Sequence, residues 1–386
     1  MRPKSLWPGL VFGLLLVYQA DGAVGSTPAD APAKTLADAL PPEKWRQVEN
    51  SVDRALAWLA SQETPDGSFP TLATAQPAVT SLCVMAFLSR GHQPGHGPYG
   101  EQLNHAVDYV LSCQREDGLF SNLIPEPFFK DRGAAHTGAY NHAIAGLMLG
   151  EVYGHASGQR ARKVKAAIVK AILYTRALQV RPKVHAEDVG GWRYLLPRSP
   201  GENDSDLSVT AWHLMFLRSA KNAEFNVPKE YMDDGVAYVR RCFDPGTGMF
   251  YYFATANGGY GASRGTTGAG ILSLSMAGEH HTPIAQAAGE WLVAHPYGSF
   301  GEMYGPWDQF FYSTYYCSQA AAQLGGRYWE KFFPPMVEVF LAVQTAGGAF
   351  PPEPRQSDAV FGNAYTTALA VLALTPAYQL LPVYQR

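Results

Sequence analysis

The sequence predicts an all-α fold: an (α/α)6 barrel, or toroid, in which six helix pairs close into a ring. Three observations lead there. A turn combining glycine with an aromatic residue recurs six times along the 386 residues, and repetition at a fixed spacing marks a repeat architecture. Each turn lies between a helix with a single apolar stripe and a helix that is apolar nearly all round. Finally, 47% of the residues are hydrophobic, 12% aromatic and only 16% charged, a composition that requires a core and excludes a disordered chain.

Arg2 and Lys4 precede an apolar run from Leu10 to Tyr18, with small residues at Ala20, Gly22, Ala23 and Gly25. This pattern predicts a signal peptide over 1–25, cleaved after Gly22 or Gly25, and an exported product, periplasmic or secreted. The run is shorter than the roughly 20 residues that a membrane-spanning helix needs. Residues 26–43 read as a Pro/Ala-rich linker, 44–376 as the barrel domain and 377–386 as a C-terminal tail.

Within the barrel, Val48, Val52, Ala55, Leu56 and Leu59 form the apolar stripe of the first outer helix, and Met336, Val339, Phe340 and Val343 that of the last. The stretches Val79–Leu88, Ala143–Leu149, Val209–Leu217, Gly268–Met276, Tyr315–Leu324 and Ala364–Leu374 lack a polar face and predict the inner layer. The turns between layers are Gly67-Ser68-Phe69, Gly118-Leu119-Phe120, Gly191-Trp192, Gly248-Met249-Phe250, Gly298-Ser299-Phe300 and Gly348-Ala349-Phe350, with Gln62, Gln114 and Gln344 ahead of three of them. Each unit has about 60 residues, enough for two helices and two connections. Neither end carries a distinctly polar capping unit, which favours closure over an open solenoid. Short strand pairs are expected at most around Tyr251 to Phe253.

A net charge of −3 provides no basic surplus for nucleic acid, and Arg160, Arg162, Lys163 and Lys165 read as a solvated helix face. Cys83, Cys113, Cys242 and Cys317 are far apart and form no metal-binding pattern, so they are expected as buried free thiols. No cofactor is expected.

Gln114-x-x-x-Gly118-x-Phe120 and Gln344-x-x-x-Gly348-x-Phe350 resemble the QW repeats of terpenoid cyclases. Ser208-Val-Thr-Ala-Trp212, Tyr312-Ser-Thr-Tyr-Tyr316 and Tyr365-Thr-Thr-Ala368 resemble the inner-helix starts of the same superfamily, which also includes protein prenyltransferases and complement thioester domains. Exported bacterial proteins with prenyltransferase and squalene oxidase repeats are similar too. The resemblance spans about residues 45 to 376 and implies the toroid fold.

The chemistries it implies can be checked position by position. The cyclase acid motif, Asp-x-Asp-Asp-Thr-Ala, aligns with Asp206-Leu207-Ser208-Val209-Thr210-Ala211, which puts a serine where the proton donor would stand. The prenyltransferase zinc ligands align with Asp308-Gln309-Phe310 and Tyr365-Thr366, so the cysteine and the histidine are missing. Ser112-Cys113-Gln114-Arg115 does not supply a thioester motif.

A polar and aromatic set remains at the inner-helix starts, expected to rim a central hollow: Tyr140, His142, Asp206, Ser208, Trp212, Arg264, Trp307, Asp308, Tyr312 and Tyr315. As N-caps and hollow-filling aromatics, the same residues would be purely structural. Two functions stay open. One is binding of an apolar small molecule, isoprenoid or lipid, or of a protein partner. The other is an enzyme acting on an isoprenoid, lipid or carbohydrate, with His142 paired to Asp206 or Asp308 as acid and base.

Overall fold

The computed structural model describes residues 35–254 and 261–385. The expected signal peptide and the first part of the linker lie outside the described residues. Among those described, twelve α-helices alternate between two layers. The outer helices are α1 (Pro42–Ala60), α3 (Gly100–Ser112), α5 (Gly158–Gln179), α7 (Lys229–Arg241), α9 (Pro283–Ala294) and α11 (Gly326–Val343). The inner ones are α2 (Ala78–Ser89), α4 (Ala134–Tyr153), α6 (Leu207–Asn222), α8 (Arg264–Met276), α10 (Phe310–Leu324) and α12 (Gly362–Leu374). Each inner helix packs on its two neighbours, and α12 returns to pack on α2, so the ring is closed.

The layering follows from the pattern of apolar residues. On α1 the stripe from Val48 to Leu59 is buried and the opposite face is wet, whereas α2 and α8 bury every residue. A helix with no wet face has to be covered on all sides, and the ring of neighbours together with the outer layer does this. Small residues set the spacing. A Cβ on Gly268 would lie 2.7 Å from the Cys317 amide nitrogen, so glycine lets α8 and α10 meet backbone to backbone.

The recurrent turns share one construction. Gly118 sits at φ +98°, and a Cβ there would meet the Lys170 carbonyl oxygen on α5 at 2.7 Å. The turn is thereby wedged against the next outer helix, in a conformation glycine adopts without strain. Gln114 donates from Nε2 to the Ala167 carbonyl of α5 at 2.8 Å and to the Gly118 carbonyl at 3.3 Å. Gln344 does the same for the sixth turn, donating to the carbonyls of Gly348 and of Ser51 on α1. Gln62 does not take this part: it donates to the neighbouring Ser61 hydroxyl. In the third unit Gln179, far ahead of the turn in sequence, donates to the Gly190 and Tyr231 carbonyls. Gly190, at φ +91°, is the turn glycine there, one residue before the expected Gly191.

The aromatic two residues on is buried and fixed through its own amide. The amides of Phe69, Trp192, Phe250 and Phe350 donate to the hydroxyls of Thr80, Thr210, Thr267 and Thr367 on the inner helices. The fifth unit departs from this plan. Gly298 does not take the left-handed conformation, and Tyr297 is fully buried between Phe310 and Phe332. Its loop is fastened by Arg264, which lies over the Tyr297 ring and ion-pairs with Asp308 at 2.7 Å.

Both ends of the described chain belong to the body. Residues 36–39 form a 3-10 turn whose Leu36 and Ala37 carbonyls accept from the Trp329 and Trp45 indoles, so the expected linker ends earlier than residue 43. The segment read as a tail is buried at Leu381, Val383 and Tyr384. The Tyr384 hydroxyl bonds that of Tyr315, and its carbonyl accepts from Gln323 Nε2. Glu151 accepts from the Val383 amide and the Ser219 hydroxyl, and burial pushes its carboxyl up to about 7.

Strand structure among the described residues is one pair, β1 (Phe243–Asp244) with β2 (Met249–Phe250), just before the stretch where it was expected. All four cysteines are free and buried. No described helix is long and apolar enough to cross a membrane.

Candidate ligand cavity

A cavity of about 860 Å³ opens where the starts of the inner helices converge. Its deep wall is apolar, built by Ala78, Val79, Leu82, Ile144 and Trp212. Tyrosines band its middle: Tyr140, Tyr194, Tyr252, Tyr312 and Tyr365. Charged side chains line it on the loops ahead of α4 and α6, with Asp131, Arg132, Arg198 and Glu202 at the mouth and Arg193 buried. Exposed apolar residues occur on the same kind of loop, with Ile124 at 76%, Phe128 at 64% and Trp307 at 53% exposure.

Of the ten residues singled out in the sequence, Tyr140, Ser208, Trp212, Trp307 and Tyr312 line this cavity. Trp212 is part of the deep wall, stacked on Tyr315 with ring centroids 5.4 Å apart. The other five are not among its lining residues, and each has an identifiable structural task. Tyr315 lies behind Trp212 and holds the C-terminal segment. Arg264 and Asp308 are the ion pair that fastens the fifth loop. Asp206 caps α6, accepting from the Val209 amide at 2.8 Å, and pairs with Arg193 at 3.3 Å. Burial raises the Asp206 carboxyl to about 6, against the opposing pull of Arg193.

His142 departs furthest from expectation. Its Nδ1 accepts from the Phe120 amide at 3.4 Å, and its Nε2 is 3.0 Å from the Thr175 hydroxyl of α5. It therefore holds the place that threonine holds in four other units. It bonds neither Asp206 nor Asp308, and burial drives its pKa well below the usual imidazole value. The acid–base pairs expected from sequence are not assembled.

Sequence reasoning missed Arg193, the residue after the third turn aromatic. It lines the cavity at 7% exposure, stacked over the Tyr194 ring at 4.6 Å and the Phe253 ring at 4.9 Å. Nothing in the linear pattern marks it, because its partners come from two different loops, those ahead of α6 and of α8. His136, at the start of α4, accepts the Arg132 amide on Nδ1 at 2.9 Å, and burial lowers its pKa. Among the described residues, no three His, Cys, Asp or Glu side chains gather as metal ligands would. The carboxylates lining the cavity are Asp131 and Glu202, both on mouth loops.

No protein-family model and no curated relative matches the sequence. Solved structures do match in fold. A variant of the type II terpene cyclase MstE from Scytonema, in complex with merosterolic acid A, aligns with a TM-score of 0.56 at 17% identity, covering 89% of this chain and 100% of that one. An inactive α-1,6-mannanase variant from Salegentibacter sp., in complex with α-1,6-mannotetrose, aligns with a TM-score of 0.60 at 11% identity over 86% of this chain and 99% of its own. A protein from Actinoplanes aligns with a TM-score of 0.52 at 17% identity, over 86% and 99%. The chain shares the α/α toroid fold of these structures.

Proposed function

We propose that the chain is an exported toroid protein that binds an apolar small molecule, of isoprenoid or lipid type, in its central cavity without transforming it. The observation that carries this reading is the distribution of groups along the cavity wall. Its wall is mostly hydrocarbon and aromatic, Arg193 is the buried charge in it, and its carboxylates, Asp131 and Glu202, stand only on the loops ahead of α4 and α6. The volume of about 860 Å³ lies within the range of about 300–1,000 Å³ usual for small-molecule sites. The position aligned with the cyclase acid is Ser208, whose hydroxyl is far too weak to protonate an alkene. Asp206, the nearest carboxyl, is engaged in capping and in an ion pair. The cyclase of the same fold was solved with geranylgeranyl dihydroxybenzoate, which makes a geranylgeranyl chain the natural first probe.

Trp212 and Trp307 in the wall give an optical handle. Titration with geranylgeraniol is expected to quench tryptophan emission to saturation, and the recovered ligand should be chemically unchanged. α-1,6-Mannotetraose should leave the emission unchanged. Saturable binding of the sugar without binding of the isoprenoid would replace this reading with a glycosidase-like one. A cyclised product in the recovered material would establish a catalyst.

A further inference from the structure

Midway down the cavity wall, three hydroxyls form one chain. Tyr140 donates to Ser208 Oγ at 3.0 Å, and Ser208 is hydrogen-bonded to the Tyr312 hydroxyl. Three O–H protons serve two bonds, so one proton, on Tyr312 or Ser208, is left to give. Two further donors stand beside the chain. Trp212 Nε1–H and the Tyr316 hydroxyl lean toward the Tyr312 oxygen, and neither reaches a described acceptor with the geometry of a full hydrogen bond. Trp212 lines the cavity and is only 1% exposed. A buried N–H without a well-aligned acceptor is uncommon in folded proteins and calls for an explanation. The spot therefore holds more protons to donate than acceptors to receive them.

The balance of the nearby charge narrows the ligand further. Asp206 is buried close enough for its negative charge to disfavour ionisation of both Tyr140 and Tyr312, adding to the effect of burial. Arg193 already offsets the Asp206 charge at 3.3 Å, so an ionised carboxylate or phosphate beside Tyr312 and Trp212 would add an unbalanced buried charge and carry its full desolvation cost. A neutral oxygen meets no such cost.

We infer that the cavity selects an apolar molecule carrying a neutral acceptor oxygen, a carbonyl or ether, which accepts from Trp212 Nε1–H and from the free end of the Tyr140–Ser208–Tyr312 chain. This rests on the cavity-binding reading above and adds to it the chemistry of the ligand's polar group. Three probes of closely matched skeleton separate the two claims: geranylgeranylacetone, the corresponding hydrocarbon without oxygen, and geranylgeranylacetic acid. The wild-type protein is expected to bind the ketone about tenfold more tightly than the hydrocarbon, with the acid weakest. The carbonyl stretch of the bound ketone should shift to lower wavenumber, as for a hydrogen-bonded carbonyl. Trp212→Phe keeps a ring on Tyr315 but has no N–H, and should cut the preference to about threefold. Adding Tyr312→Phe should bring it to about one, with circular dichroism showing that both variants fold. Equal binding of ketone and hydrocarbon by the wild type, an unshifted carbonyl band, or tightest binding of the acid would each overturn the oxygen subsite while leaving the cavity reading in place. Failure of all three probes to bind would overturn both.

Discussion

His142 and the four threonines show how one position can look catalytic in sequence and be structural in space. Thr80, Thr210, Thr267 and Thr367 each receive the amide of a turn aromatic, and His142 receives that of Phe120. The task is to accept one buried N–H, which a hydroxyl or a neutral imidazole performs equally well. Replacement with threonine should therefore be tolerated, whereas His142→Leu leaves the Phe120 amide unpaired and should cost about 1–3 kcal/mol. The imidazole also adds a pH dependence. Burial depresses its pKa in the folded protein below the ordinary 6.5, so the unfolded chain binds the proton more readily. The stability that depends on neutral His142 is full above about pH 6.5 and is lost as pH falls below it, by up to about 1.4 kcal/mol per pH unit. His142→Thr removes that loss. The stability gap between wild type and this variant should change between pH 7.5 and pH 5 in denaturant titrations, to the variant's relative advantage at low pH. A constant gap would show that the histidine titrates alike in both states.

At the scale of the element, the repeated turn links one helix pair to the next. Its glycine rests on a carbonyl of the following outer helix, at Lys170 for Gly118 and at Arg54 for Gly348, so the sixth turn docks on the first helix. Gln114 and Gln344 complete the joint by bonding to backbone carbonyls across it. Gly118→Ala would force a side chain into φ +98° and to within 2.7 Å of the Lys170 oxygen. The expected cost is about 2–3 kcal/mol. Gly154→Ala is the matched control, because its φ is −67° and nothing stands within 4 Å of the added carbon. Chemical denaturation of the two variants compares them directly. A Gly118→Ala protein as stable as the control would mean that the turn does not need its close approach. The fifth unit shows an alternative joint, with the Arg264–Asp308 pair and the buried Tyr297 ring where the other units use glycine.

For the molecule as a whole, the ring has two unlike ends. The starts of the inner helices surround the cavity, while Leu381, Val383 and Tyr384 are buried beneath Trp212 and Tyr315, against Gln323 and Glu151. Removing residues 377–386 would expose those three side chains' sites and leave the Glu151 carboxyl without its backbone donor. From the apolar burial alone the loss is about 5 kcal/mol, so the melting temperature in calorimetry should fall by well over about 5 °C. A truncated chain that melts within about 2 °C of the full one would show that the segment only rests on the barrel.

The sequence by itself determined the fold. Periodicity separated wet from dry helices, and six glycine–aromatic turns counted the units, because both features are local and survive in linear order. Of the ten residues it singled out, Tyr140, Ser208, Trp212, Trp307 and Tyr312 line the cavity. Other matters depended on contacts between residues far apart in the chain. His142, Asp206 and Asp308 read as candidate acids and bases and Arg264 as a cavity-lining residue, since residue type alone cannot tell an acceptor for a turn amide, a helix cap or a loop staple from a group with a site role. Arg193 gave no signal because loops from separate units assemble its surroundings. The C-terminal segment read as a tail because its few apolar residues have no period, and only the ring they enter gives them something to bury against. The surplus of hydrogen-bond donors around Trp212 appears only once α4, α6 and α10 are side by side, since an unpaired group can be recognised only after every possible partner has been placed.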